Sequence, residues 1–223
     1  MKLQTYPDRD LLYMGLADAL ASDLNMALNT SERASLAVPG GTTPGPVFDL
    51  LCGVRLDWAR VDVLLTDERW VDETSPRSNT RLLRERLLVN AAAAANLVPL
   101  YAPTETPEES LSALEGAVRA ARPIDVLLLG MGEDMHIASL FPGGDKLSTA
   151  LSSNAPTLVA MRAPGVQEPR VTLSAPVLSG AMAKHLIITG AAKRAALENA
   201  RGKLPEQAPV AVVLDGLNVH WAL

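Results

Sequence analysis

The stretch IDVLLLGMGEDMHIASLFPG, residues 124–143, decides both the fold class and the place of the candidate site. Its unbroken apolar run, residues 126–129, predicts a buried strand. Gly130 and Gly132 then predict a tight loop at the carboxyl end of that strand. In open α/β sheets, ligands bind at this edge. The stretch therefore predicts an α/β protein with a ligand site directly after the strand.

Two chemically active side chains follow this loop. His136 carries an imidazole, the side chain whose ordinary pKa lies nearest neutrality, so it can accept a proton at working pH. Asp134, two residues earlier, is close enough in sequence to orient the ring. A histidine after a strand is also common as a loop or packing residue. The two residues are thus a candidate catalytic pair, and the residues around them must show whether His136 is catalytic or only a loop residue.

Composition limits the classes of function. The chain has 223 residues, of which 48% are hydrophobic and 20% charged, as expected of a globular protein. A net charge of −5 predicts no nucleic-acid or membrane partner, so an anionic ligand would need a local group of cations. The single cysteine, Cys52, excludes an intrachain disulfide and a cysteine-rich zinc site. We expect a cytoplasmic protein without a signal peptide or a membrane span.

Strand and helix patterns alternate along the chain. Strands are predicted at residues 35–38, 61–65, 126–129, 157–161, 171–173 and 185–189. Helices are predicted at residues 11–28, from Pro44 through Leu51, and at 79–89, 108–121 and 191–200. This alternation predicts a mainly parallel sheet with helices on both faces. We expect a single domain over residues 1–223, because no segment has the composition of a linker.

A second glycine loop, Gly40-Gly41-Thr42-Thr43, separates a predicted strand from a predicted helix. Glycines let backbone N–H groups approach an anion closely, and the threonine hydroxyls add donors. The same residues are common in ordinary strand-to-helix turns. Their spacing matches neither the Walker loop nor the dinucleotide-binding fingerprint. The loop is a candidate phosphate site.

Charged residues flank other predicted strand ends. Asp67 and Arg69 follow the second strand, Asn79 lies downstream, and Arg170 and Lys193 adjoin later strands. Each could be an ordinary solvated surface residue. We expect the sheet to bring the end of the second strand close to both glycine loops. The prediction is one rim that carries an anion cradle, an acid–arginine cluster and a histidine.

Five motifs in order carry a resemblance that covers nearly the whole chain. They are PGGTTP (39–44), TDER (66–69) with Ser78-Asn79, LGMGEDMHIASLFP (129–142), PRVTL (169–173) and GAAK (190–193). The sequence resembles the 6-phosphogluconolactonases of the glucosamine-6-phosphate isomerase/6-phosphogluconolactonase superfamily. This resemblance implies a Rossmann-like open α/β fold. It also implies hydrolysis of 6-phosphoglucono-δ-lactone to 6-phosphogluconate in the oxidative pentose phosphate pathway, without a metal or organic cofactor.

The resemblance suggests a role for each candidate residue. His136 would be the general base and Asp134 would hold its tautomer, while Arg69 would stabilise the developing oxyanion and Asp67 would order the site. The expected contacts to substrate and phosphate are Gly40, Gly41, Thr42, Thr43, Asn79, Arg170 and Lys193. The expected partner is a small phosphorylated sugar lactone. The oligomeric state is left open, and a monomer is plausible.

One position departs from the family pattern, and two other functions stay open. Met135 stands where the family usually has glycine, and we expect an ordinary negative φ there because an unbranched apolar side chain gains nothing from φ > 0. A deaminase-like sugar-phosphate isomerase would need further acid–base groups after the histidine, whereas residues 138–142 contain no carboxylate. A sugar-phosphate sensor without catalysis is the other alternative.

Overall fold

Seven strands form a parallel sheet at the centre of this computed structural model, which describes residues 1–223. The strands of the chain are β1 (Lys2–Thr5), β2 (Ala34–Val38), β3 (Val61–Leu65), β4 (Asp67–Arg69), β5 (Asn96–Val98), β6 (Val126–Gly130), β7 (Leu158–Met161), β8 (Arg170–Leu173), β9 (Ala183–Thr189) and β10 (Leu217–Ala222). The helices are α1 (Arg9–Thr30), α2 (Gly45–Leu51), α3 (Asn79–Arg86), α4 (Leu111–Ala120), α5 (Leu147–Leu151), α6 (Ala175–Ser179) and α7 (Ala191–Ala200).

The central sheet has the order β1-β10-β9-β6-β2-β3-β5, and all its strand pairs are parallel. All five residues of β2 are buried, as are four of the five in β6, because helices cover the sheet. Its core is one cluster of 59 buried apolar residues. The expected open, mainly parallel α/β fold is confirmed.

The topology places a crevice at the candidate site. From β2 the chain proceeds to β3 and β5 on one side, whereas β6, β9 and β10 lie on the other side. The strand order therefore reverses between β2 and β6, which pair at Leu36 with Val126 and at Ala37 with Leu127. Loops that leave the carboxyl ends of β2 and β6 diverge at such a switch point and leave room for a ligand.

A second, three-stranded antiparallel sheet has the order β4-β8-β7. The predicted strand segments 157–161 and 171–173 lie in this sheet and not in the main one, and residues 67–69, which the sequence showed only as charged residues after the second strand, form its strand β4. The chain changes sheets at Thr66, whose N–H donates to Val38 in β2 (2.9 Å) while its carbonyl accepts from Leu173 in β8 (2.9 Å). Strand β4 consists of three charged residues, so it lacks the alternation of apolar and polar residues by which a strand is recognised in a sequence.

The short helices α5 and α6 were not predicted, and the other differences lie at sheet edges and at helix ends. The strands β1, β5 and β10 were not predicted; β1 and β5 are edge strands of four and three residues, too short for a periodic signal. The helix expected over residues 79–89 ends at Arg86, and that expected over 108–121 begins as a 3₁₀ turn, Pro107–Glu109, before α4. Helix α7 has the predicted bounds. None of the helices combines the length and apolar composition that crossing a bilayer requires.

Candidate active site

A cavity of about 530 Å³ opens at the carboxyl ends of β2, β3 and β6. Among the residues that line it are all the predicted site residues except Asp134: Gly40, Gly41, Thr42, Thr43, Asp67, Arg69, Asn79, His136, Arg170 and Lys193. The structure thus brings together loops that are up to 153 residues apart in sequence, from Gly40 to Lys193. It also adds residues that sequence reasoning missed, notably Arg77, Phe141, Val166 and Gln167.

His136 is paired with Asp134 at the edge of this cavity. Nδ1 of the imidazole lies 2.6 Å from Oδ1 of Asp134, and the backbone N–H of His136 donates to the same oxygen at 3.3 Å. Since a carboxylate only accepts, Nδ1 is the donor of this hydrogen bond, and in the neutral ring Nε2 is the acceptor. The ring centroid of Phe141 lies 4.7 Å from that of His136. Asp134 therefore acts on the ring from outside the cavity lining.

The loop before His136 depends on a close approach at Gly132. A Cβ atom there would lie 2.3 Å from Oδ1 of Asp134 and 2.3 Å from Nδ1 of His136. Any side chain at this position would displace the pair. The turn closes with hydrogen bonds from the Gly132 N–H to the His136 carbonyl and from the Met135 N–H to the Gly132 carbonyl, both 3.0 Å.

Met135 has a φ of +66°, so the expectation of an ordinary conformation is wrong. The loop has a left-handed backbone at this position, and Met135 carries the steric strain that this conformation imposes on an L-residue. Tertiary contacts stabilise this strained conformation. The Met135 carbonyl accepts a hydrogen bond from the N–H of Val210 (3.1 Å), and the Met135 side chain packs against the core. Ala138, in the same loop, also has a positive φ of +50°.

Asp67 connects the histidine loop to the second sheet. Its Oδ2 accepts a hydrogen bond from the hydroxyl of Ser139 at 2.5 Å, and the Ser139 N–H donates to Oγ1 of Thr172 at 3.1 Å. Both Asp67 and Ser139 are buried. The carboxylate therefore links β4 to the loop that follows His136, and its partner Ser139 gave no signal in the sequence.

Glu68 is a structural residue that the sequence did not reveal. Its fully buried carboxylate accepts hydrogen bonds from the N–H groups of Arg69 (2.7 Å), Asn79 (2.9 Å) and Thr80 (2.7 Å) and from the Thr80 hydroxyl (2.7 Å). It thus satisfies the amino end of α3. Burial raises the pKa of Glu68 because desolvation outweighs these hydrogen bonds.

Asn79 is held between this cap and the glycine loop. Its Nδ2 donates to the Asp67 carbonyl at 3.0 Å. A Cβ on Gly40 would lie 2.0 Å from Oδ1 of Asn79, so only glycine fits against the amide. The close approach, and not backbone freedom, explains this glycine.

Arg69 and Arg170 contribute positive charge to the cavity. The guanidinium of Arg170 makes no hydrogen bond within the chain, and its shortest approach to a carboxylate is 3.9 Å, from Nη1 to Oδ2 of Asp67. Its Nε and that of Arg69 are buried without partners. Burial lowers the pKa of Arg170, and neighbouring arginines lower it further, while Asp67 raises it. Buried unpartnered donors beside one another are costly unless an anion binds.

Lys193 and Arg77 complete the cationic lining. Lys193 lies in the first turn of α7, which follows Gly190 with a φ of +83°. Arg77 pairs with Glu168 through two hydrogen bonds, one of them between Nη2 and Oε2 at 2.8 Å. No three histidine, cysteine or carboxylate side chains are grouped as metal ligands would be.

The fold and the cavity define a class: an open α/β protein with a polar, cation-rich crevice at its switch point and a carboxylate-paired histidine in that crevice. The chain belongs to the family described as glucosamine-6-phosphate isomerases/6-phosphogluconolactonase, whose model matches residues 7–221.

Individual relatives agree with this assignment. The chain is 39% identical over 218 residues to a 6-phosphogluconolactonase of Rhizobium meliloti, with 93% of this chain and 94% of the relative covered. It is 38% identical to a 6-phosphogluconolactonase of Caulobacter vibrioides, covering 100% of this chain and 97% of the relative. The crystal structure of a 6-phosphogluconolactonase from Shewanella baltica superposes with a TM-score of 0.96 at 32% identity, covering 100% of this chain and 98% of that structure.

Proposed function

We propose that this protein hydrolyses 6-phosphoglucono-δ-lactone to 6-phosphogluconate. The observation that carries the proposal is the presence, in one cavity, of a carboxylate-paired histidine and of arginines whose buried N–H groups lack partners. A phosphorylated lactone offers what each needs: a phosphate for the cations and a carbonyl carbon for a base-activated water. The shared name of the relatives supports the same reaction.

His136 is the general base of this proposal. Because Asp134 holds the proton on Nδ1, Nε2 is free to take a proton from a water molecule that attacks the lactone carbonyl carbon. The tetrahedral intermediate then loses its ring oxygen, which takes the proton from Nε2. Water is thereby added across the ester bond, and the resulting open-chain carboxylic acid releases its proton to solvent to become the carboxylate.

The cationic side chains have two different roles in this proposal. Arg170 and Lys193, together with the amides and hydroxyls of residues 41–43, bind the phosphate. Arg69, whose Nη1 already donates to the Arg77 carbonyl at 2.8 Å, retains a buried Nε for the developing oxyanion. Asp67 and Asn79 order the loops around these groups. The substrate is the only partner we propose, and a cytoplasmic location remains a prediction.

The test is a coupled assay. Glucose-6-phosphate dehydrogenase supplies fresh lactone, and the product is measured with 6-phosphogluconate dehydrogenase. Because the lactone hydrolyses spontaneously, the rate without the protein is subtracted and a His136→Gln variant is the matched control. We expect the wild type alone to accelerate product formation; equal rates with wild type and variant would contradict the proposal.

A deaminase-like isomerase remains the alternative within the same family. Residues 138–142, which follow the histidine, provide no carboxylate. Release of ammonia from glucosamine-6-phosphate, in the absence of lactone turnover, would favour this alternative. Binding of 6-phosphogluconate with no turnover of either substrate would favour a sensor.

A further inference from the structure

A short segment beside the cavity has no role in the proposed mechanism. Residues 163–167, here called the strap, join β7 to β8, and Gly165, Val166 and Gln167 line the cavity. Within the strap there is one backbone hydrogen bond, from Val166 to Ala163 at 3.1 Å. Its position therefore depends on how its two ends are held.

The end that adjoins β7 is held by Asp145 and Glu108, which both bind Arg162. Arg162 donates its backbone N–H to Oδ1 of Asp145 at 2.8 Å, and its carbonyl accepts from the Asp145 N–H at 2.9 Å. Its guanidinium pairs with Glu108 at 2.6 and 3.1 Å. These contacts fix Arg162, but none of them reaches the opposite side of the cavity.

The other end is tied to the segment that precedes α3. Glu168 pairs with the guanidinium of Arg77, and the adjacent Pro169 carbonyl accepts from the Trp70 N–H at 2.8 Å. Although Arg77 is 46% exposed, the Glu168 side chain is only 13% exposed. The bond to Arg77 also lowers the pKa of Glu168. The pair is thus a partly buried bidentate contact and not a loose surface pair.

Arg77 reaches the catalytic groups by a second route. Its backbone carbonyl accepts the hydrogen bond from Nη1 of Arg69, and Asn79 follows two residues later. Both Nε and Nη2 of Arg77 are occupied by Glu168, unlike the guanidinium of Arg170. Arg77 lines the cavity, yet two of its three guanidinium nitrogens donate to a carboxylate of the protein.

We propose that Arg77 and Glu168 are positioning residues: their ion pair holds the strap and Arg69 at a fixed spacing around the substrate. Arg77 acts through Glu168 and is not itself a phosphate ligand. The kinetic test of this inference rests on the proposed lactonase activity. The structural test uses the protein without substrate and does not depend on that activity.

The kinetic test compares Glu168→Gln with Arg77→Gln. Both break the pair but change the cavity's charge in opposite directions, so a pure charge effect would move KM in opposite directions. We expect both variants to raise KM for the phosphorylated lactone by about three- to tenfold, with a smaller change in kcat. Arg77→Lys keeps the cation but loses the two-point contact, and it should also raise KM. Glu85→Gln, which removes the exposed Arg81–Glu85 pair on α3, is the matched control and should leave KM unchanged.

Hydrogen exchange of residues 162–169 supplies a readout that does not depend on activity. Exchange should accelerate in Glu168→Gln and Arg77→Gln, and the charge-reversed double variant Arg77→Glu/Glu168→Arg should restore protection. A KM that rises in Arg77→Gln but falls or stays constant in Glu168→Gln would overturn the proposal and make Arg77 a phosphate ligand. Unchanged exchange in both single variants would also overturn it. Absence of lactone turnover in the wild type would refute the proposed function and leave the exchange test standing.

Discussion

Oδ1 of Asp134 accepts hydrogen bonds from both Nδ1 and the backbone N–H of His136, at 2.6 and 3.3 Å. One oxygen therefore fixes the ring, its tautomer and the adjacent backbone. Gly132 lies directly against this pair, and a side chain at that position would collide with both the carboxylate and the imidazole.

Replacing His136 should abolish most of the catalysis without unfolding the protein. We expect His136→Gln to reduce kcat for the phosphorylated lactone by roughly 10²-fold or more, the usual contribution of a general base. The side chain is 30% exposed and lies in a loop, so the circular dichroism spectrum and the melting temperature should change little. Wild-type turnover by the folded variant would show that another group activates the water.

Removing the cations should weaken binding of the phosphate selectively. Arg170→Ala and Lys193→Ala should each cost about 1.5–3 kcal/mol of affinity for 6-phosphogluconate, the range of a charge-assisted contact. Titration calorimetry with 6-phosphogluconate and with unphosphorylated gluconate separates the two components. Equal losses for both ligands, or no loss for either, would place the phosphate elsewhere.

Two truncations of Met135 isolate the strain of its positive φ. Met135→Ala and Met135→Gly both lose the side-chain packing, but only glycine adopts φ = +66° without steric cost. We expect the glycine variant to be the more stable of the two by about 1 kcal/mol, although its greater freedom in the unfolded chain offsets part of the gain. Urea unfolding measures the difference. An alanine variant at least as stable as the glycine variant would contradict strain at this position.

Stability should fall in mild acid because of a buried histidine pair. Nδ1 of His220 lies 2.8 Å from the Tyr6 hydroxyl, its Nε2 lies 3.0 Å from Nδ1 of His185, and Nε2 of His185 lies 2.8 Å from Oδ2 of Asp23. With each ring donating through Nε2, every donor in this chain of contacts has one acceptor. Burial, and next the neighbouring His185, lowers the pKa of His220 from 6.5 to about 4.

The folded protein therefore excludes a proton that the unfolded chain binds below pH 6.5. The stabilisation from neutral His220 is complete above that pH and is lost as the pH falls towards 4. We expect the free energy of unfolding to drop by about 2 kcal/mol between pH 6.5 and pH 5. Urea unfolding of the wild type and of His220→Gln at several pH values checks this, since the variant lacks this titration. Parallel pH profiles for the two proteins would refute the assignment.

Local patterns account for what was predicted. The apolar run of β6 and the glycines after it are contiguous, so they indicated both the buried strand and the loop that carries His136. The motifs around residues 40, 67, 170 and 193 each adjoin a strand end, and parallel strands bring such ends to one rim. The bounds of α7 and part of the cavity lining followed from these patterns.

What the sequence by itself determined is therefore the α/β class, the edge of the sheet that holds the site and the residue types at that edge. The tertiary structure alone decided which of them meet. Ser139 and Asp67 are 72 residues apart, and Glu68 serves the end of a helix that begins 11 residues later. It also decided the left-handed backbone of Met135, which local preference opposes and a hydrogen bond from Val210 supports. Contacts between distant segments leave no periodic pattern in a chain, and they override local preference because the packed core fixes both partners at once.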